Sequence, residues 1–86
     1  MRPHEVILYP LMTERSVHMI ENENKLVFIV DRRADKHQIA RAVRDLYDVE
    51  VDRVRTLIVP QGLKKAFVKL REGHDASDVA IRLGIL

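Results

Sequence analysis

The chain has 86 residues, 47% of them apolar, with 15 Lys and Arg against 13 Asp and Glu and no cysteine. A chain of this size makes one domain with a thin core, burying roughly 60 to 65% of its unfolded surface, and the missing cysteines exclude disulfides, thiolate metal sites and cysteine nucleophiles. The near-neutral total hides a segregated charge, because residues 1–31 hold three basic and five acidic side chains, residues 32–71 eleven and five, and residues 72–86 one and three, and a basic block of that kind points to a polyanionic partner.

Pro3 and Pro10 bracket "EVIL", residues 5–8, which reads as a short edge strand. Glu5 and the brevity of that apolar stretch are unlike a signal peptide, and no apolar run approaches the roughly 20 residues a spanning helix needs, so a soluble, cytoplasmic chain without membrane insertion is expected. Thr13 is a good N-cap for a helix through "TERSVHMIENEN", which the Asn22–Asn24 stretch stops. "KLVFIVD", residues 25–31, is continuous apolar and β-branched, the pattern of a central strand covered on both faces.

"DKHQIARAVRDLYD" opens with Asp35 as N-cap and Gln38 three residues on, a capping-box spacing. It then sets Ile39, Ala42, Val43 and Leu46 on one stripe at helical period, with His37, Arg41, Arg44 and Asp48 on the far side. From Val49 the period changes to two, and a slip near Asp52–Arg53 predicts a bulge. Beyond it Val54, Thr56 and Ile58 share one strand face, and Arg55, Leu57 and Val59 the other.

"PQGLKK", residues 60–65, holds a tight hairpin, and the returning strand "LKKAFVKL" sets Ala66, Val68 and Leu70 against Lys65, Phe67 and Lys69. An aromatic flanked by lysines on one strand face has the form of a surface that stacks on a base and grips phosphate. The same pattern also fits a strand whose Phe67 packs beneath a helix while its lysines snorkel. Asp75 caps a last helix that turns Ala76, Val79, Ala80 and Leu83 inward and ends at Gly84.

The expected fold is therefore α+β: a small single domain over residues 1–86, with an antiparallel three- to four-stranded sheet, packed helices and element order (β)αβαββα. Strands are expected near 25–31, 51–59 and 63–70, and Ile29, Ile39, Val43, Leu46, Val54, Ile58 and Val68 in one core. The four histidines lack metal-ligand spacing, there is no Gly-rich phosphate loop, and Ser16 and Ser77 lie in helical segments without a nucleophile elbow, so neither an enzyme nor a cofactor or metal site is expected. Asp45, Asp48, Glu50 and Asp52 resemble an acidic cluster, but the first two belong to a helix and the others to a strand bearing Arg53 and Arg55, which favours salt bridging.

"LYPLMTERS", "KLVFIVDRRADKHQIARAVRDLYDVEVDRVRTLIV" and "KKAFVKL" resemble the corresponding segments of the universal large-subunit ribosomal protein at the mouth of the polypeptide exit tunnel, number twenty-three of its series. Thr13, Glu14, Arg15 and Ser16 meet its Thr/Ser-Glu-Lys-Ser/Ala motif. Ala34, Asp35, Lys36, Ile39, Ala42 and Val43 meet its Ala-Thr-Lys-x-x-Ile-x-x-Ala-Val run, and Val54, Arg55, Thr56 and Leu57 its Val-Asn-Thr-Leu strand. Arg15, Asp35 and Arg55 depart from the lysine, threonine and asparagine of that pattern. The short "PQGLKK" stands where bacterial relatives carry a long basic loop, which likens the chain to the short-loop archaeal type.

The resemblance implies a non-catalytic rRNA-binding constituent of the large ribosomal subunit, with Arg15, Arg32, Arg33, Lys36, Arg55, Lys64, Lys65 and Lys69 as phosphate grips and Thr56 and Phe67 as closer RNA contacts. It also implies a neighbouring small helical ribosomal protein. Together the two would dock the signal recognition particle and the protein-conducting channel, with Glu14 at the docking surface. A free-standing small α+β regulatory or protein-interaction domain is the rival, since the fold alone supports both.

Overall fold

The computed structural model describes residues 1–86 and begins with a helical turn where the sequence predicts a strand. Pro3 has a fixed φ and no amide to leave unpaired, which suits the first position of a helix. Glu5 accepts the Arg2 amide at 2.9 Å, and the turn so closed is α1 (Pro3–Val6). The predicted strand over residues 5–8 is thereby displaced to β1 (Ile7–Pro10). The remaining elements are α2 (Glu14–Glu23), β2 (Lys25–Val30), α3 (Lys36–Tyr47), β3 (Val51–Ile58), β4 (Lys64–Leu70) and α4 (Ala76–Arg82).

Both long helices start as their caps predict. In α2 the Ser16 amide donates to Thr13 Oγ1 at 3.1 Å while the Thr13 amide donates to Ser16 Oγ at 2.8 Å. In α3 the Gln38 amide donates to Asp35 Oδ1 at 2.8 Å and the Asp35 amide to Gln38 Oε1 at 2.9 Å. The helices end on residues in the left-handed region, Asn24 (φ 55°) and Asp48 (φ 56°). Asn24 ties three elements together, because its Nδ2 donates to the His74 carbonyl at 2.8 Å and its Oδ1 accepts the Ala76 amide at 2.8 Å.

The strands form one antiparallel sheet in the order β1-β2-β4-β3. The β2–β4–β3 register sorts its side chains into rows: Leu26–Val68–Val54, Phe28–Ala66–Thr56 and Val30–Lys64–Ile58 on one face, Lys25–Lys69–Arg53, Val27–Phe67–Arg55 and Ile29–Lys65–Leu57 on the other. The predicted bulge is present, with the register shifting between Val51 and Arg53. The first face is the core, where Leu26, Phe28, Ala66, Val68 and Leu70 meet Ile39, Ala42 and Val43 of α3 and Ala76, Val79 and Ala80 of α4. On the second face α2 lies against β2 and leaves β4 and β3 open.

Three expected core residues are placed differently. Leu46 has the right helical phase, yet it is 41% exposed. The larger Tyr47 ring turns inward instead and stacks on Phe28, centroids 5.8 Å apart and planes 6° from parallel. Ile58 is 51% exposed, because a twelve-residue helix is only about 18 Å long whereas an eight-residue strand runs about 26 Å, so α3 cannot cover the far end of the edge strand β3. Ile29 is buried, but on the second face, since only alternate residues of β2 can point into one core. No helix is long and apolar enough to cross a membrane.

Candidate nucleic-acid interface

The basic block of the sequence becomes a surface through strand alternation. Arg53 and Arg55 of β3, Lys65 and Lys69 of β4 and Lys25 of β2 all point to the second face, and no acidic residue occurs in its rows. Arg15, in the first turn of α2, lines a groove on this face together with Lys65, Arg55 and Phe67. The three salt bridges of the molecule are Lys25–Glu23 at 3.2 Å, Arg33–Asp31 at 3.1 Å and Arg44–Asp45 at 3.5 Å. Arg15, Arg53, Arg55 and Lys65 therefore have no acidic partner, and their charge is free to meet an anion.

Phe67 is half-buried on the second face, in a hollow that Arg15 and Met19 of α2 also line: the Arg55 guanidinium carbon sits 4.5 Å from its centroid and Lys65 Nζ 5.9 Å from it. The aromatic thus serves as a bed for cations, and the planar guanidinium of Arg55 is the outer surface of the stack. Register alone sets this pair, because Arg55 lies directly opposite Phe67 on the neighbouring strand.

The other basic residues singled out in the sequence do not join this patch. Lys69 does lie on the face, but its Nζ donates to the Glu23 carbonyl at 2.8 Å and so satisfies the end of α2. Lys64 is on the core face, and its Nζ donates to the Ala34 carbonyl at 2.6 Å, pinning the β2–α3 turn to the start of β4. Thr56 is on the core face as well, half-buried opposite Ala66. Arg32, Arg33 and Lys36 are exposed around the turn between β2 and α3.

Arg33 there folds back on Asp31, donating from its amide at 2.8 Å and from Nε at 3.1 Å. That pairing holds the Asp31 carboxyl below the usual carboxylate range and raises the guanidinium further. Arg32 reaches toward the hairpin, its Nη1 lying 3.9 Å from where a side chain at Gly62 would begin. Glu14 is exposed at the first position of α2, immediately after the Thr13 cap.

Sequence reasoning put Leu57 on the face of Arg55 but missed Lys25 and Arg53 as members of it. Their signal was plain alternation: Arg53 stands two residues before Arg55 and opposite Lys69, and Lys25 two residues before Val27, which lies opposite Phe67. The geometry offers a flat, cationic, partly apolar surface suited to a phosphate backbone and to planar groups, and no cluster of His, Asp or Glu that could hold a metal ion. The family model described as Ribosomal protein L23 matches residues 5–77, most of the chain.

Proposed function

The chain belongs to the ribosomal protein L23 family, and from that premise we propose that its open sheet face binds large-subunit rRNA at the polypeptide exit tunnel. The family is one of structural proteins of the large ribosomal subunit, not of enzymes, so the chain is a large-subunit ribosomal protein that serves translation. Membership sets aside the free-standing regulatory domain. The observation behind the RNA reading is the second sheet face, where Arg15, Arg53, Arg55 and Lys65 lack acidic partners beside the half-buried Phe67.

In this reading residues 1–86 act as one rRNA-binding domain. Arg53, Arg55, Lys65 and Arg15 grip phosphates and fix the register of the protein on RNA, while Arg32, Arg33 and Lys36 meet the RNA a second time at the β2–α3 turn. Lys64 and Thr56 support the sheet from its core face, and Lys69 fixes the end of α2 beside the open face. The loop of Val59–Leu63 is closed by the Gly62 amide donating to the Val59 carbonyl at 2.8 Å. A loop this short reaches little or nothing of the tunnel wall, which is our basis for the archaeal-type reading. Glu14, with the neighbouring small helical ribosomal protein, docks the signal recognition particle and the protein-conducting channel.

The test is binding to protein-free large-subunit RNA as a function of salt, together with cosedimentation with large subunits. A steep log-affinity against log-salt slope, flattened in Arg53→Ala and Lys65→Ala, is expected. A slope near zero, or no change in the variants, would refute the assignment of this face.

A further inference from the structure

Two hollows flank the Arg55–Phe67 stack, which forms the wall between them. They differ in chemistry. The first, about 160 Å³, is lined by the buried Met19 and Val27, the exposed Leu57, the hydroxyl residues Thr13 and Ser16, and the basic Arg15 and Lys65. It is smaller than the roughly 300 to 1,000 Å³ of a small-molecule site, so it takes a single ring system and not an extended ligand. The second, about 350 Å³, is lined by Lys25, Arg53 and Lys69 in addition to the shared pair, with Phe67 its one apolar member; Lys25 is paired with Glu23 and Lys69 is held by the Glu23 carbonyl, so Arg53 is the cation it offers without a partner.

We infer that the first hollow receives one unpaired nucleobase while the second receives the phosphates beside it, with the exposed plane of Arg55 stacking on the base. The inference rests on the RNA reading above and narrows it: the target is a bulge or loop with a splayed nucleotide, because in a continuous duplex every base is stacked and paired and none can enter. Three features favour this occupant. A guanidinium held 4.5 Å over an aromatic ring is less free to move, and its plane stacks on a base irrespective of sequence. Met19 and Val27 offer apolar contact to the face of a base, and the hydroxyls of Thr13 and Ser16 line the same hollow, a mixture that suits a base and not a phosphate. The cations stand on either side of the stack, as the charges flanking a flipped-out nucleotide require. An acidic peptide strand would satisfy the cations but would leave the apolar contact with Met19 and Val27 unmade.

Arg55→Lys separates stacking from charge, since lysine keeps the positive charge and lacks the plane. The full chain would be bound to protein-free large-subunit RNA and the unpaired bases probed chemically, with Arg44→Lys, on the far side of α3, as a control for folding and handling. The wild type is expected to protect at least one unpaired base. Arg55→Lys is expected to lose that protection and to bind at least about fivefold more weakly at an unchanged log-salt slope. Equal affinity and an equal footprint for the two proteins would overturn the base subsite and leave phosphate gripping intact. Protection confined to the backbone would do the same. Failure of the wild type, shown to be folded by circular dichroism, to bind this RNA at any salt would overturn both the subsite and the RNA reading beneath it.

Discussion

Neighbouring residues near the end of α3 divide the work in a way that a helical wheel misses. Leu46 is phased toward the core but 41% exposed, so Leu46→Ala is expected to change stability by no more than about 0.5 kcal/mol, the scale of a surface substitution. Phe28, fully buried and stacked on Tyr47, is the contrast: Phe28→Ala is expected to cost about 3 to 5 kcal/mol. Urea denaturation of the two variants checks both, and a loss above about 2 kcal/mol at Leu46 would contradict the observed packing.

Tyr47 itself supplies a pH dependence. Burial raises its hydroxyl above the usual tyrosine value, since the phenolate is the form that burial disfavours. A raised folded-state value means that this group's contribution is present in full below about pH 10, the unfolded value, and is lost as pH rises through the folded one. In a Tyr9→Phe background the one remaining tyrosine should therefore titrate later than free tyrosine by ultraviolet absorbance. Adding Tyr47→Phe should remove this alkaline loss of stability.

Among the elements, those whose signals are local were the ones legible in the sequence. The Thr13 cap, the Asp35–Gln38 capping box, the strand at residues 25–30, the bulge near Arg53 and the helix after Asp75 all follow from spacing within a few residues. What was not legible depends on neighbours far along the chain. The reach of α3 over β3 decided Ile58, and the choice of face on β2 decided Ile29. The site follows the same rule: alternation put Lys65, Phe67 and Arg55 on one face, whereas no local pattern shows that Lys64 and Lys69 spend their ammonium groups on the Ala34 and Glu23 carbonyls.

The two kinds of lysine should separate by experiment. Lys65→Ala is expected to leave stability within about 0.5 kcal/mol and to flatten the log-salt slope of RNA binding by roughly 0.7 to 0.9 for each phosphate that is no longer neutralised. Lys64→Ala is expected to cost about 1 kcal/mol of stability, as its hydrogen bond to the Ala34 carbonyl goes, with a smaller effect on the slope. Equal slopes in all variants, measured on folded protein, would mean that the open face is solvated and nothing more.

The whole molecule is two-sided, with helices α1, α3 and α4 closing one face of the sheet and α2 placed so that its start stands at the border of the open one. Arg15 lines the open groove, and the preceding residue, Glu14, is exposed at the helix N-terminus. A domain that embeds its basic face in RNA would thus leave this carboxylate at the margin of the buried surface, where a basic partner can reach it. A first-turn carboxylate also favours its own helix, so Glu14→Ala is expected to lower stability by about 0.3 to 1 kcal/mol whether or not anything docks there. The docking role proposed for Glu14 needs a different readout. Ribosomes carrying Glu14→Ala are expected to assemble normally, because the residue stands apart from the cationic rows, and to bind the signal recognition particle and the protein-conducting channel more weakly than wild-type ribosomes do. The weakening should shrink as salt is raised, since an exposed charge pair is screened within about 8 to 10 Å at physiological ionic strength. Unaltered affinity for both factors on fully assembled ribosomes would reduce Glu14 to a residue that stabilises its helix.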